Sequence, residues 1–139
     1  MAEAEFRRIV SEAGLADKID VDSAGTGSWH VGEKAHRSTR RVLAQHGIEY
    51  NGRARKVRFD ELDNESTFIV GMDQSNMSSL RALNGDHPRM YRLLDFSHQH
   101  NGVLDIPDPY YNGKFNYVYE LVEDASRGLL EFVREQEGF

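Results

Sequence analysis

Four segments of the chain are predicted to be helices, either because apolar residues recur at the spacing of an amphipathic helix or because helix start and stop residues bound them. The predicted helices cover residues 2–13, about 37–46, 75–83 and 115 to about 134, and Ser75 is the expected N-cap of the third. In the longest of them seven apolar residues recur every three or four positions and must face a core: Val118, Leu121, Val122, Ala125, Leu129, Phe132 and Val133.

Three shorter stretches are typical of β-strands. Ile19 to Ser23 is a short alternating segment, and Met90 to Leu94 is a second candidate. Thr67 to Met72 is a continuous apolar run, as expected of a central parallel strand that is buried on both faces. Helices and strands therefore alternate along the chain, which predicts an α/β fold with a parallel sheet.

The first predicted helix begins without a capping residue. No Ser, Thr, Asp or Asn precedes its apolar pattern, so the backbone N–H groups of its first turn lack a side-chain acceptor. A helix N-terminus of this kind favours a bound anion, whereas a disordered start is the plain alternative. We expect a further segment upstream of this helix.

Length, composition and net charge argue against several classes of function. With 139 residues, of which 39% are hydrophobic and 29% charged, the chain is expected to form one domain, residues 1–139. The net charge of −6 argues against nucleic-acid binding, and no apolar run is long enough for a membrane span. The chain has no cysteine and no signal-peptide pattern, so we expect a cytoplasmic location. His98 and His100 are interpreted as bystanders, so neither a metal nor another cofactor is predicted.

One loop carries candidate chemistry, Ile106 to Gly113. Asp108 lies between Pro107 and Pro109, which stiffen the backbone on both sides, and Tyr110 and Tyr111 follow directly. A carboxyl group beside aromatic rings is partly desolvated, which favours its protonated form and suits a general acid. The alternative is a proline-rich turn whose aspartate caps a local amide and whose tyrosines cover the core.

The Asp-Pro-Tyr-Tyr loop resembles the signature loop of the low-molecular-weight protein-tyrosine phosphatases. Further stretches agree with that family in order along almost the whole chain: Met1-Ala2-Glu3, Val21-Asp22-Ser23-Ala24-Gly25-Thr26, Trp29-His30-Val31-Gly32-Glu33, His46-Gly47-Ile48, Arg53-Ala54-Arg55, Gly71-Met72-Asp73-Gln74-Ser75-Asn76 and Leu93-Leu94-Asp95-Phe96.

The resemblance implies a three-layer αβα domain with a short parallel sheet, four-stranded in the family. It implies hydrolysis of phosphotyrosine monoesters, on proteins or small aryl phosphates, through a cysteinyl-phosphate and without a cofactor. Asp108 would be the general acid, Trp29 and Tyr110 would flank the substrate ring, and Ser23 would support the phosphate loop. Tyr111 would be a second wall or a phosphorylation site.

The chain departs from the family in its chemistry. The family's nucleophile and phosphate clamp belong to a C-x5-R-S loop after the first strand, yet this sequence contains no cysteine. Met1 matches the methionine of the Ser-Pro-Met-Ala-Glu run that closes that loop. We therefore expect an N-terminally truncated domain that lacks the central strand between Val21 and Ile69, through a misplaced start codon or deliberate truncation.

Two consequences are expected of such a chain, and two other functions remain as alternatives. It would be catalytically dead, and its sheet would be marginally stable or rearranged, because buried unpaired amides each cost about 1–3 kcal/mol. A pseudophosphatase that binds a partner or anion without catalysis is the alternative function. An arsenate reductase of related fold is a weaker rival, because it would depend on further cysteines.

Overall fold

The computed structural model describes residues 1–27, 30–100, 102–109 and 113–139. Its regular elements are, in chain order, α1 (Ala2–Glu12), α2 (Arg37–Gln45), α3 (Phe59–Leu62), β1 (Ile69–Gly71), α4 (Gln74–Asn84), β2 (Met90–Arg92), a 3-10 helix (Leu93–Phe96) and α5 (Phe115–Glu137). None of the helices in these ranges is both long and apolar enough to cross a bilayer. The mixed α/β class predicted from the sequence is confirmed.

The four predicted helices are confirmed as α1, α2, α4 and α5, with ends that differ by at most three residues. The absence of a side-chain cap on α1 is confirmed too: Met1 occupies the N-cap position without a capping hydrogen bond. The prediction that Ser75 caps α4 is wrong. Asp73 is the N-cap, and its Oδ1 accepts the backbone N–H of Asn76 at 2.8 Å.

The described sheet has two parallel strands. Ile69, Val70 and Gly71 of β1 pair in register with Met90, Tyr91 and Arg92 of β2. The prediction of a strand over Ile19 to Ser23 is wrong for the described residues, which form no ladder there. The physical reason is the lack of an adjacent strand: pairing in this region is limited to a single bridge between Gly25 and Lys56.

Side chains along β1 alternate between two hydrophobic clusters. Phe68, Val70 and Met72 pack against the larger cluster, which is built mainly on α5 and the 3-10 helix. Ile69 packs against a smaller cluster formed by residues of α3 and α4. Helix α1 packs along α5. Residues of β1 therefore contribute to both clusters.

Candidate active site

A cleft of about 930 Å³ is lined by two continuous segments of the chain, among other residues. One wall consists of residues 18–24 and the other of residues 66–72. Residues of α1 and α5 line the cleft from one helical face, and residues of α3 and α4 line it from the other. The cleft therefore lies next to β1, between the two hydrophobic clusters.

Both walls start at the C-terminal end of α5. The Lys18 ammonium lies 5.6 Å from the ring centroid of Phe139, and Arg89 forms an ion pair with Glu137. Ile69, at the start of β1, donates its N–H to the carbonyl of Arg89 at 2.8 Å.

The loop that carries Asp108 is fixed to the C-terminal end of β1. Ile106 is buried, and its N–H donates to the Met72 carbonyl at 2.9 Å. Asp105 accepts the N–H of Gln74, at the start of α4, at 3.1 Å. Asp108 is exposed and lines the cleft together with Pro109. The predicted stiff support of this carboxylate thus includes tertiary hydrogen bonds besides the two prolines.

The three predicted aromatic substrate contacts, Trp29, Tyr110 and Tyr111, lie outside the described residues. Their roles stay predictions. Of the predicted site residues in the described ranges, Asp108 and Ser23 line the same cleft.

Ser23 belongs to a hydrogen-bond network that the sequence did not reveal. Its hydroxyl donates to the Glu3 carboxylate, which also accepts the Tyr50 hydroxyl at 3.0 Å. Arg7 forms an ion pair with Glu3 at 2.7 Å and donates to the Val21 carbonyl at 2.6 Å. Burial, reinforced by the Glu3 charge, raises the pKa of Tyr50. The network joins the first turn of α1 to the cleft wall.

A second network connects the same wall to α3. The guanidinium of Arg55 holds both carboxylate oxygens of Glu61, at 2.8 and 2.7 Å, and also Asp22 at 2.8 Å. The hydrogen bonds from Arg55 lower the pKa of Glu61 to about 2. The charge of Arg55 is therefore matched by two carboxylates.

The Glu61→Gln variant should lose an acid-sensitive part of the stability. Because the pKa of Glu61 is depressed to about 2 in the folded state, its contribution is fully present above the unfolded pKa, about 4.3, and vanishes as the pH falls toward 2. We expect Glu61→Gln to lower the free energy of unfolding by about 1–2 kcal/mol at pH 6. Urea unfolding at pH 6 and at pH 2.5 measures this, and an equal difference at both values would contradict it.

The histidines in the loop after the 3-10 helix are paired with carboxylates. His100 Nδ1 lies 3.0 Å from Asp124, and His98 Nε2 lies 3.1 Å from Glu131. Burial alone would raise the pKa of Asp124, but hydrogen bonds from Ser97, His100 and two backbone amides hold it at about 2. In the described ranges, no three His, Asp or Glu side chains converge as metal ligands would.

Comparison with known proteins points to one family. The sequence profile of the family described as "Low molecular weight phosphotyrosine protein phosphatase" matches residues 1–138. The low molecular weight protein-tyrosine-phosphatase YfkJ of Bacillus subtilis is 38% identical over 139 residues, covering 98% of this chain and 88% of the relative. A low molecular weight protein-tyrosine-phosphatase of Streptomyces coelicolor is 42% identical over 146 residues, covering 98% of this chain and 86% of the relative.

Solved structures agree with these relatives. The crystal structure of YfkJ from Bacillus subtilis superimposes with a TM-score of 0.90 at 37% identity, covering 97% of this chain and 86% of that one. A protein tyrosine phosphatase from Entamoeba histolytica superimposes with a TM-score of 0.87 at 28% identity, covering 99% of this chain and 88% of that one. The chain belongs to the low molecular weight phosphotyrosine protein phosphatase family.

Proposed function

We propose that this chain forms most of a cytoplasmic protein-tyrosine phosphatase domain, with Asp108 as its proton-transfer residue. Asp108 protonates the leaving phenol and then accepts a proton from the water that attacks the phosphoenzyme. The observation that carries this proposal is that Asp108 is exposed and lines the cleft. There it is held on a loop that is hydrogen-bonded to the end of β1.

The other site residues take the roles that the family resemblance gives them. Trp29 and Tyr110 form the walls of a slot for the phenyl ring, and Tyr111 is a further wall or a phosphorylation site. Ser23 supports the phosphate loop. Its hydroxyl, together with Tyr50 and Glu3, forms a polar patch at one wall of the cleft. The substrate class is phosphotyrosine on proteins or small aryl phosphates.

We further propose a three-layer αβα architecture whose central strand lies in the cleft. In this arrangement the strand pairs with residues 18–24 on one side and with β1 on the other, which completes a four-stranded parallel sheet. The Cys-x5-Arg-Ser loop would follow that strand and reach the end of the cleft near Asp108. The cleft beside β1 and the lack of any cysteine in the 139 residues both support this proposal.

The 139-residue chain by itself is proposed to be inactive. A cysteinyl-phosphate requires a thiolate, and the sequence has none. A pseudophosphatase, which binds a partner or anion without turnover, is the alternative that the absence of cysteine favours. It requires that this chain be the native product.

Intact mass of the protein purified from its native cell separates the two functions. If the domain is a phosphatase, we expect a species heavier than 15.9 kDa that carries a cysteine and hydrolyses phosphotyrosine. The cysteine is counted by the mass shift on alkylation. A native product of 15.9 kDa that resists alkylation would support the pseudophosphatase and contradict the enzyme.

A further inference from the structure

We propose that a cationic patch on α2 and the loops beside it binds an acidic segment of the phosphoprotein substrate. The patch consists of five exposed residues, Lys34, Arg37, Arg40, Arg41 and Arg53. The proposal rests on the proposed function, because it places the acidic segment on the protein that carries the phosphotyrosine. It concerns binding rather than hydrolysis, so it can fail while the proposed phosphatase chemistry stands.

The distribution of charge along the chain provides the first argument. Residues 34–58 contain eight of the 17 Lys and Arg residues but one of the 23 Asp and Glu residues, Glu49. This segment is therefore strongly positive, whereas the rest of the chain is strongly negative. A local excess of one sign attracts groups of the opposite sign even though the net charge of the protein is −6.

The fold brings the five cations of the patch together. Arg37, Arg40 and Arg41 are three and four positions apart, so they share the exposed face of α2. Arg40 Nε donates to the carbonyl of Ala35 at 3.1 Å, which holds this guanidinium beside the residue that follows Lys34. The helix and the loop before it therefore present one positive surface.

Arg53 extends this surface through a pairing with Lys34. The two residues lie opposite one another in an antiparallel bridge, where Cβ atoms are typically about 4.5–5.5 Å apart. Beside the bridge, Ala54 donates its N–H to the Glu33 carbonyl at 2.8 Å. Arg53 Nη1 donates to the Gly32 carbonyl at 3.0 Å. The positions of these two cations are thus fixed by main-chain hydrogen bonds.

The stability of the fold does not explain these charges. Like charges opposite one another across a bridge repel, and Lys34 and Arg53 are such a pair. Arg37 and Arg40 lie in the first turn of α2, where the helix dipole favours anions rather than cations. In the described ranges none of the five patch residues forms an ion pair with a carboxylate, whereas the nearby Arg55 has two such partners. An anionic partner would offset this repulsion.

The patch is connected to the candidate active site through His36. This residue lies between Lys34 and Arg37 in the chain, and its ring stacks on that of Phe115 with the centroids 4.9 Å apart. Phe115 begins α5, shortly after the loop that carries Asp108. His36, Phe115 and Asp108 all line the cleft. A polypeptide whose phosphotyrosine lies beside Asp108 can therefore contact the patch with the residues that flank it.

The size of the patch and the charge of the remaining surface define the partner. The nine residues of α2 span about 13 Å at 1.5 Å per residue, a length that four extended residues cover at about 3.3 Å each. Guanidinium groups bind carboxylates with paired hydrogen bonds, so a short run of Asp and Glu suits this surface. A nucleic acid or a membrane would extend over the negative remainder of the protein, which repels it.

The direct test compares two synthetic peptides that carry no phosphate. The probe is fluorescein-Gly-Glu-Asp-Glu-Glu-Phe-Gly-amide, and the control has Gln and Asn in place of its four acidic residues. We expect the probe to bind at least about tenfold more tightly at low salt, and to lose most of this advantage at about 1 M salt, where the Debye length is about 3 Å. Fluorescence anisotropy measures both affinities. No binding of the probe, equal affinities at low salt, or an advantage that salt does not reduce would overturn the proposal.

Two double variants of equal net charge locate the binding surface. Lys34→Gln with Arg37→Gln removes two cations of the patch, and Arg81→Gln with Arg127→Gln removes two exposed cations from α4 and α5. We expect the first variant to bind the probe at least about fivefold more weakly and the second to change its affinity by less than about twofold. All four side chains are exposed, so both variants should fold. An equal loss in both would mean that net charge alone determines binding, which contradicts the proposal.

Two polyanions test the choice of an acidic peptide as the partner. We expect neither duplex DNA nor phosphatidylserine vesicles to bind the chain at about 0.15 M salt, because the acidic residues outside the patch repel extended negative surfaces. Cosedimentation measures vesicle binding, and anisotropy of labelled DNA measures the other. Binding of either polyanion that Lys34→Gln with Arg37→Gln abolishes would assign the patch to that partner and contradict the proposal.

Failure of this proposal is distinguishable from failure of the proposed function. We expect the native enzyme to hydrolyse phosphotyrosine peptides with acidic flanks at a higher kcat/KM than peptides with neutral flanks. Equal kcat/KM values would leave the phosphatase intact and overturn the acidic docking segment. A native product without cysteine would contradict the phosphatase even if the probe binds as expected.

Discussion

The purified 139-residue chain should hydrolyse p-nitrophenyl phosphate no faster than buffer does. Phosphatases of this family work through a thiolate nucleophile, and the sequence contains no cysteine. General acid catalysis, the role proposed for Asp108, typically contributes about 10²–10⁴-fold, whereas enzymes typically accelerate reactions by about 10⁶-fold or more. Release of p-nitrophenolate, followed by absorbance at high protein concentration, measures the rate.

Two variants make this result interpretable. Asp108→Ala removes a carboxylate that lines the cleft, and Asp60→Ala removes an exposed carboxylate that does not line it. All three proteins should give the buffer rate. A measurable rate that Asp108→Ala abolishes and Asp60→Ala preserves would mean that the chain has a nucleophile other than cysteine. That outcome would contradict the proposed inactivity.

The helices could be predicted from the sequence because their signals are local. The apolar spacing of α5 and the uncapped start of α1 each depend on residues within a few turns of one another. The cap of α4 was mispredicted because Asp73 and Ser75 are both suitable residues, and the choice between them depends on where the preceding strand ends.

Strand pairing was less predictable because it depends on partners far along the chain. Thr67 to Met72 has a partner in Met90 to Arg92, so part of it forms β1. Ile19 to Ser23 has a comparable pattern but no adjacent strand in the described residues, and it forms no ladder. A periodic pattern shows that a segment suits a sheet, whereas the ladder also requires a neighbour.

For the candidate site, too, the sequence indicated local features and missed the contacts between distant residues. The prolines around Asp108 indicated a fixed carboxylate, and the structure places it at the cleft. No local pattern predicted that Ser23, Glu3 and Tyr50 would meet, because Glu3 and Tyr50 are 47 positions apart. The Glu3–Arg7 spacing is visible in the sequence, but it is equally typical of a solvated helix face.

Glu5 is the residue whose environment the sequence least suggested. It lies on α1 among other charged residues, which suggests a solvent-exposed position, yet its side chain is fully buried against α5. The Tyr119 hydroxyl donates to Glu5 at 2.5 Å, and Arg8 forms an ion pair with the same carboxylate. Burial, reinforced by the Glu5 charge, raises the pKa of Tyr119. The packing of α1 on α5 therefore includes a buried carboxylate that depends on two donors.

Arg8→Met should be strongly destabilising. The substitution retains most of the apolar stem of the side chain but leaves the Glu5 carboxylate buried without its cation. Breaking a buried pair in this way costs about 3–5 kcal/mol, which is a large share of the roughly 5–15 kcal/mol of a typical domain. Urea unfolding followed by circular dichroism should show a lower midpoint with an unchanged slope.

Two further variants identify the buried charge as the cause. Glu12→Gln breaks the exposed pair that the same arginine forms at 2.7 Å, and it should change the free energy of unfolding by only about 0.3–0.5 kcal/mol. The double variant Glu5→Leu with Arg8→Met replaces the pair by apolar side chains, so it should recover most of the stability lost in Arg8→Met. If the double variant were as unstable as Arg8→Met, the loss would come from the packing of the arginine stem. The uncompensated carboxylate would then not be its origin.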